Sequence, residues 1–283
     1  MKLVEERKFF DSAGIPLYGA MHYPATDCNG ETKKSGRRTV VVFCNAFSES
    51  HAEWRAEVIG ARTLAERGYP AFTYHPRAHG DSAGNPAEVT FDTLVDDAMT
   101  GADYARDACG AEQIAWVGVR FGALIASEAI RRRGDTAGVA LWEPVVDAGD
   151  YFQQLMRHAL YYDVGRGVRP SLTVEAIKGH LERDGKIELL LFDLYRAFVE
   201  SASESNLEAN LSTWRGPVFI AQFDRHSRLS RRHIHLKDAL ESVGARVNAA
   251  LFTENCGTET RGEPWRTPEA LATRMGDWLD RLE

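Results

Sequence analysis

Cysteine is scarce and scattered. The four thiols, Cys28, Cys44, Cys109 and Cys256, form no C-x-x-C pair, so neither a zinc knuckle nor a disulfide framework is suggested and reduced thiols are expected. No unbroken apolar run approaches the roughly 20 residues that a membrane-spanning helix needs. Residues 1–8, Met-Lys-Leu-Val-Glu-Glu-Arg-Lys, lack the apolar stretch of a secretory signal. The expectation is a cytoplasmic protein without a membrane span. Positive charge is in the minority: Lys and Arg number 34 against 41 Asp and Glu, a formal net charge of −7. That balance disfavours wholesale attraction to a phosphate backbone, so nucleic acid is not an expected partner. The sequence has no Walker loop and no G-x-G-x-x-G, which removes support for nucleotide and dinucleotide binding. No internal repeat or low-complexity tract occurs, and no cofactor or metal is expected.

What is present is an ordinary globular composition, 44% apolar and 27% charged over 283 residues, which excludes disordered and collagen-like architectures. Residues 2–9 and 15–22 alternate in polarity around Asp11-Ser-Ala-Gly14, which predicts a hairpin. Residues 39–44, Thr-Val-Val-Val-Phe-Cys, are short, continuous and β-branched, the pattern of a strand buried on both faces in a parallel sheet. Helical spacing over 51–67 stops at Gly68, and strand and helix patterns then alternate: strand 70–75, a helix opened by Thr90, strand 113–118, helix 121–133, strand 138–142. The alternation resumes at 217–223, 231–243, 246–252 and 268–282. Such alternation predicts an α/β fold with a mostly parallel, doubly wound sheet.

Residues 147–212 break the alternation. They read as consecutive helices over 150–161, 173–183 and 187–199, rich in Tyr, Phe and Leu. The predicted organisation is therefore a core of residues 1–146 and 213–283, with a helical cap at 147–212. Arg131-Arg-Arg133, the densest charge run, is read as cations in the last turn of a helix, where they complement the macrodipole.

The most informative segment is Ile114-Ala-Trp-Val-Gly118-Val119-Arg120-Phe121-Gly122-Ala123. A buried strand runs through Gly-x-x-x-Gly straight into a helix, the strand–turn–helix context of a nucleophile elbow. With the loop Asn45-Ala-Phe-Ser-Glu49, the turn Arg77-Ala-His-Gly-Asp-Ser-Ala-Gly84 and Asp224 after a late strand, the chain resembles the α/β-hydrolase superfamily, and within it the serine-aminopeptidase-like branch. The resemblance spans nearly the whole length and implies an α/β-hydrolase fold with a cap. It also implies that Arg120 stands where the family keeps its serine and that Asp224 stands at the acid's place. The family's histidine would lie in the loop 253–266, yet the nine histidines are at 22, 51, 75, 79, 158, 180, 226, 233 and 235. A guanidinium stays protonated and offers no lone pair, so serine-type acylation is not expected.

An arginine at the start of the elbow helix puts a fixed cation beside backbone N–H groups and a positive dipole end, which suits a carboxylate or phosphate. The resemblance further implies an oxyanion site from the N–H of Phe121 and one from Ala46 or Phe47. The alternative for Arg120 is a structural ion pair with Glu143, Glu49 or Asp224, and the two readings are compatible. His51, beside Ser48 and Glu49 in the same loop, could move protons near neutral pH or simply begin a helix. Ser50 and Cys256 are candidates for a relocated nucleophile, against capping of a helix by Ser50 with Glu53 and an inert buried thiol for Cys256. His233 and His235 fall on one predicted helix at a spacing of two, which points them to different faces and argues against a shared metal.

Three expectations follow. The first is an enzyme acting on a small acyl or carboxylate-bearing molecule by lyase, cyclase or acyl-transfer chemistry, with Arg120, His51 and Asp224 as catalytic candidates. Ala46, Phe47, Ser48, Glu49, Phe121, Glu143 and Cys256 are then the substrate-contact candidates. The second is a non-catalytic binding or regulatory protein on the same scaffold. The third is hydrolysis through Ser50 or Cys256. The expected ligand is apolar with an acyl or carboxylate group, and a homodimer is left open.

Overall fold

Five β-branched or aromatic residues in a row favour a strand covered on both faces, and residues Thr39–Cys44 accordingly form β3, buried at every position in the middle of the main sheet. The computed structural model describes residues 3–24, 37–46, 50–165, 173–189, 192–223, 228–252 and 269–282. Side chains are described for all of these except 50–53 and 161–165. The eight-stranded sheet runs in the order β1 (Val4–Ser12), β2 (Ile15–Tyr23), β4 (Ala71–Tyr74), β3, β5 (Gln113–Val119), β6 (Thr136–Trp142), β9 (Pro217–Phe223) and β10 (Arg246–Phe252). The first hairpin pairs antiparallel and β2 joins β4 antiparallel, whereas the strands from β4 to β10 are parallel. The α/β prediction holds, and the strand registers place the carboxyl ends of β3, β5, β6 and β9 side by side.

Helices α1 (Ser50–Glu66) and α9 (Glu269–Leu279) cover one face through Ala61, Leu64, Leu271, Met275 and Trp278. The other face carries α2 (Phe91–Cys109), α3 (Gly122–Arg132) and α8 (Arg231–Ser242). Helix α2 starts where Thr90 predicts, with a reciprocal capping box between Thr90 and Thr93. The arginine run at the end of α3 is structural. Arg131 and Arg132 bind Glu128, Arg132 also reaches Asp92, and Arg133 bridges Asp103 and Asp135.

Between β6 and β9 lie α4 (Ala148–Gly165), α5 (Val174–Asp184), α6 (Arg196–Ala202) and α7 (Leu207–Asn210). The helix expected over 187–199 is instead a two-stranded hairpin, β7 (Lys186–Leu189) and β8 (Phe192–Tyr195), followed by the short α6. Gly185 adopts the left-handed conformation at the end of α5 and turns the chain back. The hairpin then closes with Lys186 on Asp193 at 2.6 Å. The apolar spacing there fits either period, and the left-handed glycine with the cross-strand pairing decides for strand.

The loop after β4 is pinned by one buried acid. Asp97 of α2, fully buried, accepts two side-chain hydrogen bonds from Arg77 at 2.9 and 2.6 Å, the Arg77 backbone N–H at 3.0 Å and the Ser12 hydroxyl at 2.7 Å. Removing one partner of such a pair leaves the other charge uncompensated. Asp97→Ala is expected to lower the unfolding free energy by about 3 kcal/mol or more, read by urea denaturation; an unchanged midpoint would contradict the pinning role.

Candidate functional site

Strand β5 is buried from Ile114 onward and ends at Val119, and α3 begins three residues later. Such a sharp strand-to-helix turn needs close backbone approach on both sides. A Cβ at Gly118 would collide with the Ala123 backbone, and one at Gly122 with the Cys44 carbonyl at the end of β3. These two glycines draw strand, helix and the neighbouring strand together, and the residue between them is forced out. Arg120 sits at that apex with φ +52°, a left-handed conformation that costs energy for a residue carrying a Cβ. Its backbone is fully engaged: the N–H donates to Trp142 O at 2.9 Å, and the carbonyl accepts from Ala123 and Val145, both at 3.1 Å.

The next strand repeats the conformation. Glu143, directly after β6, has φ +45°. Its N–H donates to Ala221 O at 2.8 Å and its Oε2 accepts from the Phe223 N–H at 2.7 Å. Arg120 and Glu143 are thus two strained, half-buried, oppositely charged residues on adjacent strand ends, and Glu143 ties the end of β9 to them. Phe121, the N-cap residue of α3, supplies no capping side chain. Its ring is buried against Tyr151, Phe152 and Phe198 of the segment between β6 and β9, with centroids 5.3, 5.8 and 5.5 Å away. These aromatic residues pack the segment onto the elbow.

Of the other sequence candidates, Ala46 is buried just after β3. His51 and Ser50 lie in the first turn of α1, their side chains outside the described residues. Phe47, Ser48, Glu49, Asp224 and Cys256 lie outside the described residues altogether. The structure therefore brings together Arg120, Phe121, Glu143 and Ala46 around the ends of β3, β5 and β6. Among the described residues no group of His, Cys, Asp and Glu could hold a metal ion.

One imidazole escaped the sequence analysis as a site residue. His233, in the first turn of α8, is 5% exposed. Its Nδ1 lies 2.8 Å from the Ser230 hydroxyl, the helix cap, while Nε2 has no hydrogen-bond partner. Burial pushes its pKa down to about 4, helped by the positive charges of Arg232 and Arg120. His235 points the other way into solvent, as the spacing of two requires. Only part of the signal was in the sequence: Ser230 three residues before His233 marks a cap, whereas the burial of the face that His233 shares with Leu236 and Leu240 is set by what packs over it.

A neutral imidazole within the field of Arg120 reports on that cation. Arg120→Met is expected to raise the His233 pKa from about 4, followed by the imidazole resonances in an NMR titration. An unshifted value would mean that the guanidinium is turned away from α8.

The geometry agrees with the comparisons. The family model described as serine aminopeptidase, S33, matches residues 35–188, more than half of the chain. Among curated proteins no sequence matches. Est1E from Butyrivibrio proteoclasticus, solved with ferulic acid bound, superposes with TM-score 0.66 at 16% identity, covering 97% of this chain and 98% of that one. An esterase of Pyrococcus furiosus gives TM-score 0.63 at 16% identity over 99% and 91% of the two chains. A proline iminopeptidase-related protein of Thermus thermophilus gives 0.60 at 18% identity over 99% and 98%. An eight-stranded, mostly parallel sheet, a strand–turn–helix elbow closed by two glycines, and these matches make the chain a member of the serine aminopeptidase S33 family with the α/β-hydrolase fold.

Proposed function

We propose that the protein binds and transforms a small molecule bearing an acyl or carboxylate group without a serine acyl-enzyme, using Arg120 as a fixed anion holder at the elbow. One observation carries this reading. The residue in the left-handed apex between Gly118 and Gly122, at the start of α3, is an arginine. In a family built to present a nucleophile from that turn, the apex residue faces the reacting group. Here it presents a permanent positive charge with no lone pair to attack a carbonyl.

In this scheme the Arg120 guanidinium pairs with the ligand carboxylate through charge-assisted hydrogen bonds. The N–H of Phe121, with one from Ala46 or Phe47, polarises an acyl oxygen where negative charge develops. His51, Asp224 or Glu49 carries the proton. Glu143 holds the end of β9 and can share Arg120 with the ligand, since a guanidinium has five donors. His233, uncharged at neutral pH, leaves the positive charge of Arg120 undiminished. Residues 147–212 act as the cap, packed on Phe121 by Tyr151, Phe152 and Phe198, and make the surroundings of the site apolar. Lyase, cyclase or acyl-transfer chemistry fits this set better than serine hydrolysis.

A second reading, a binding or regulatory protein without turnover, is favoured by one sequence fact: no histidine follows position 235, where the family's base would lie. Ferulic acid, which the structural neighbour Est1E binds, is a suitable first probe, being an aromatic carboxylic acid. The expected result is a thermal stabilisation by millimolar ferulic acid that disappears in Arg120→Ala while its circular dichroism is unchanged. Stabilisation retained in the variant would reject Arg120 as the anion holder, and loss of turnover in the variant would separate the enzyme from the binding protein.

A further inference from the structure

Helix α8 carries cations at the end where its own dipole disfavours them. Arg231 and Arg232 occupy the first turn, which holds no acid. Arg232 is compensated by Asp150 of α4 at 3.0 Å. Arg231 is not: it and Arg228, just before the cap Ser230, are exposed and, among the described residues, have neither a hydrogen bond nor an ion pair. Three residues after Arg231, and so on the same helical face, Ile234 is 44% exposed, one of two large apolar side chains left so open among the described residues. The described fold uses none of these three side chains.

We propose that the outer face of α8, formed by Arg228, Arg231 and Ile234 with Arg232 at its flank, is a docking surface for an acidic amphipathic helix of a partner protein, its carboxylates on the arginines and one aliphatic side chain on Ile234.

Charge selects and orients this partner. The chain as a whole is acidic, with a formal net charge of −7, yet the acids around α8 do not reach Arg228 or Arg231. Asp150 is taken by Arg232, Glu208 of α7 lies 3.6 Å from His235, and Glu241 pairs with Lys237 at 2.7 Å. Asp238, one turn beyond Ile234, lies 4.0 Å from the same lysine. The exposed face therefore runs from positive at its start to negative at its end, and the partner's acidic stretch belongs over Arg228 and Arg231. Exposed ion pairs are individually weak, and one isoleucine makes a small apolar contact, so the complex is of the transient kind with a small interface. A nucleic acid or an anionic membrane would need more cations than α8 offers and would meet the repulsion of the whole chain.

The surface flanks the elbow. The Ser230 N–H donates to Oε1 of the buried Gln222 near the end of β9 at 2.7 Å, and the Arg232–Asp150 pair joins α8 to the start of α4. His233, on the inner side of the same turn, lies in the field of Arg120. A protein seated on α8 thus stands beside the proposed anion holder, although docking itself does not depend on what Arg120 binds.

The test uses a helix-forming peptide of about four turns, with glutamates spaced three and four apart around one leucine, and a counterpart in which every Glu is replaced by Gln. Binding to the full chain is read by fluorescence anisotropy and by the backbone amide resonances. The expected result is weak, saturable binding with shifts centred on α8, at least tenfold weaker for the Gln peptide, and about tenfold weaker when salt rises from about 0.05 to about 0.5 M. The double variant Arg228→Gln with Arg231→Gln should bind about tenfold more weakly. It removes a cation from an unfavourable helix end, so it should fold at least as well as the wild type. Ile234→Ser should weaken binding several-fold, and Arg120→Ala should bind the peptide as the wild type does, which separates this surface from the elbow. Equal binding of the Gln peptide, a salt-independent constant, undiminished binding by the double variant, or shifts centred away from α8 would each overturn the proposal. So would a dimer of the free protein that Ile234→Ser dissociates, which assigns the face to a second copy, or binding to anionic phospholipid vesicles that the double variant loses, which assigns it to a membrane.

Discussion

The close approach of three backbones at the end of β5 is the constraint on which the site depends. Gly122 lets α3 touch the Cys44 carbonyl of β3, and Gly118 lets the same helix fold back on its own strand. With both contacts made, the chain has only a left-handed apex left to it, and whichever residue occupies that apex stands clear of the sheet. In this protein it is Arg120, and its backbone is locked by Trp142, Ala123 and Val145. Glu143 adopts the same unusual conformation one strand over and ties down β9. Strain on two adjacent strand ends is sustained because the sheet behind them is buried on both faces.

The rest of the fold keeps that region rigid. The Asp97–Arg77 pair anchors the loop beyond β4 to α2 and β1, and the arginines at the end of α3 are spread over acids of α2 and the following turn. The arginine pairs at the end of α3 are partly exposed and contribute little each, but they fix how α3, and therefore the elbow, lies against its neighbour. Aromatic packing of Tyr151, Phe152 and Phe198 on Phe121 couples the segment after β6 to the same turn. The turn is held from the sheet, from the side and from above.

Much of this was legible in the residues. The β-branched run of β3, the Thr90 cap and the two glycines of the elbow each have a local cause that needs no partner to be recognised. The hairpin of β7 and β8 was not legible, because Ile187 and Leu194 share a helical stripe while Ile187 and Leu189 fit an alternating strand, and pairing between the two strands decides the matter. His233 was missed for a different reason. A histidine on an amphipathic helix reads as its wet face, and only the second layer packed over that face, the end of the sheet, makes it a buried group. Burial of an ionisable group is set by tertiary partners that sequence spacing does not encode.

The central claim is that the Arg120 guanidinium holds the ligand's anion. A crystal structure of the protein soaked with ferulic acid tests it most directly. The account predicts the carboxylate at about 2.7–2.9 Å from the guanidinium nitrogens, with the aromatic ring against the segment after β6. A guanidinium turned away from the ligand, or a serine and an imidazole meeting at the elbow within hydrogen-bond reach, would contradict it.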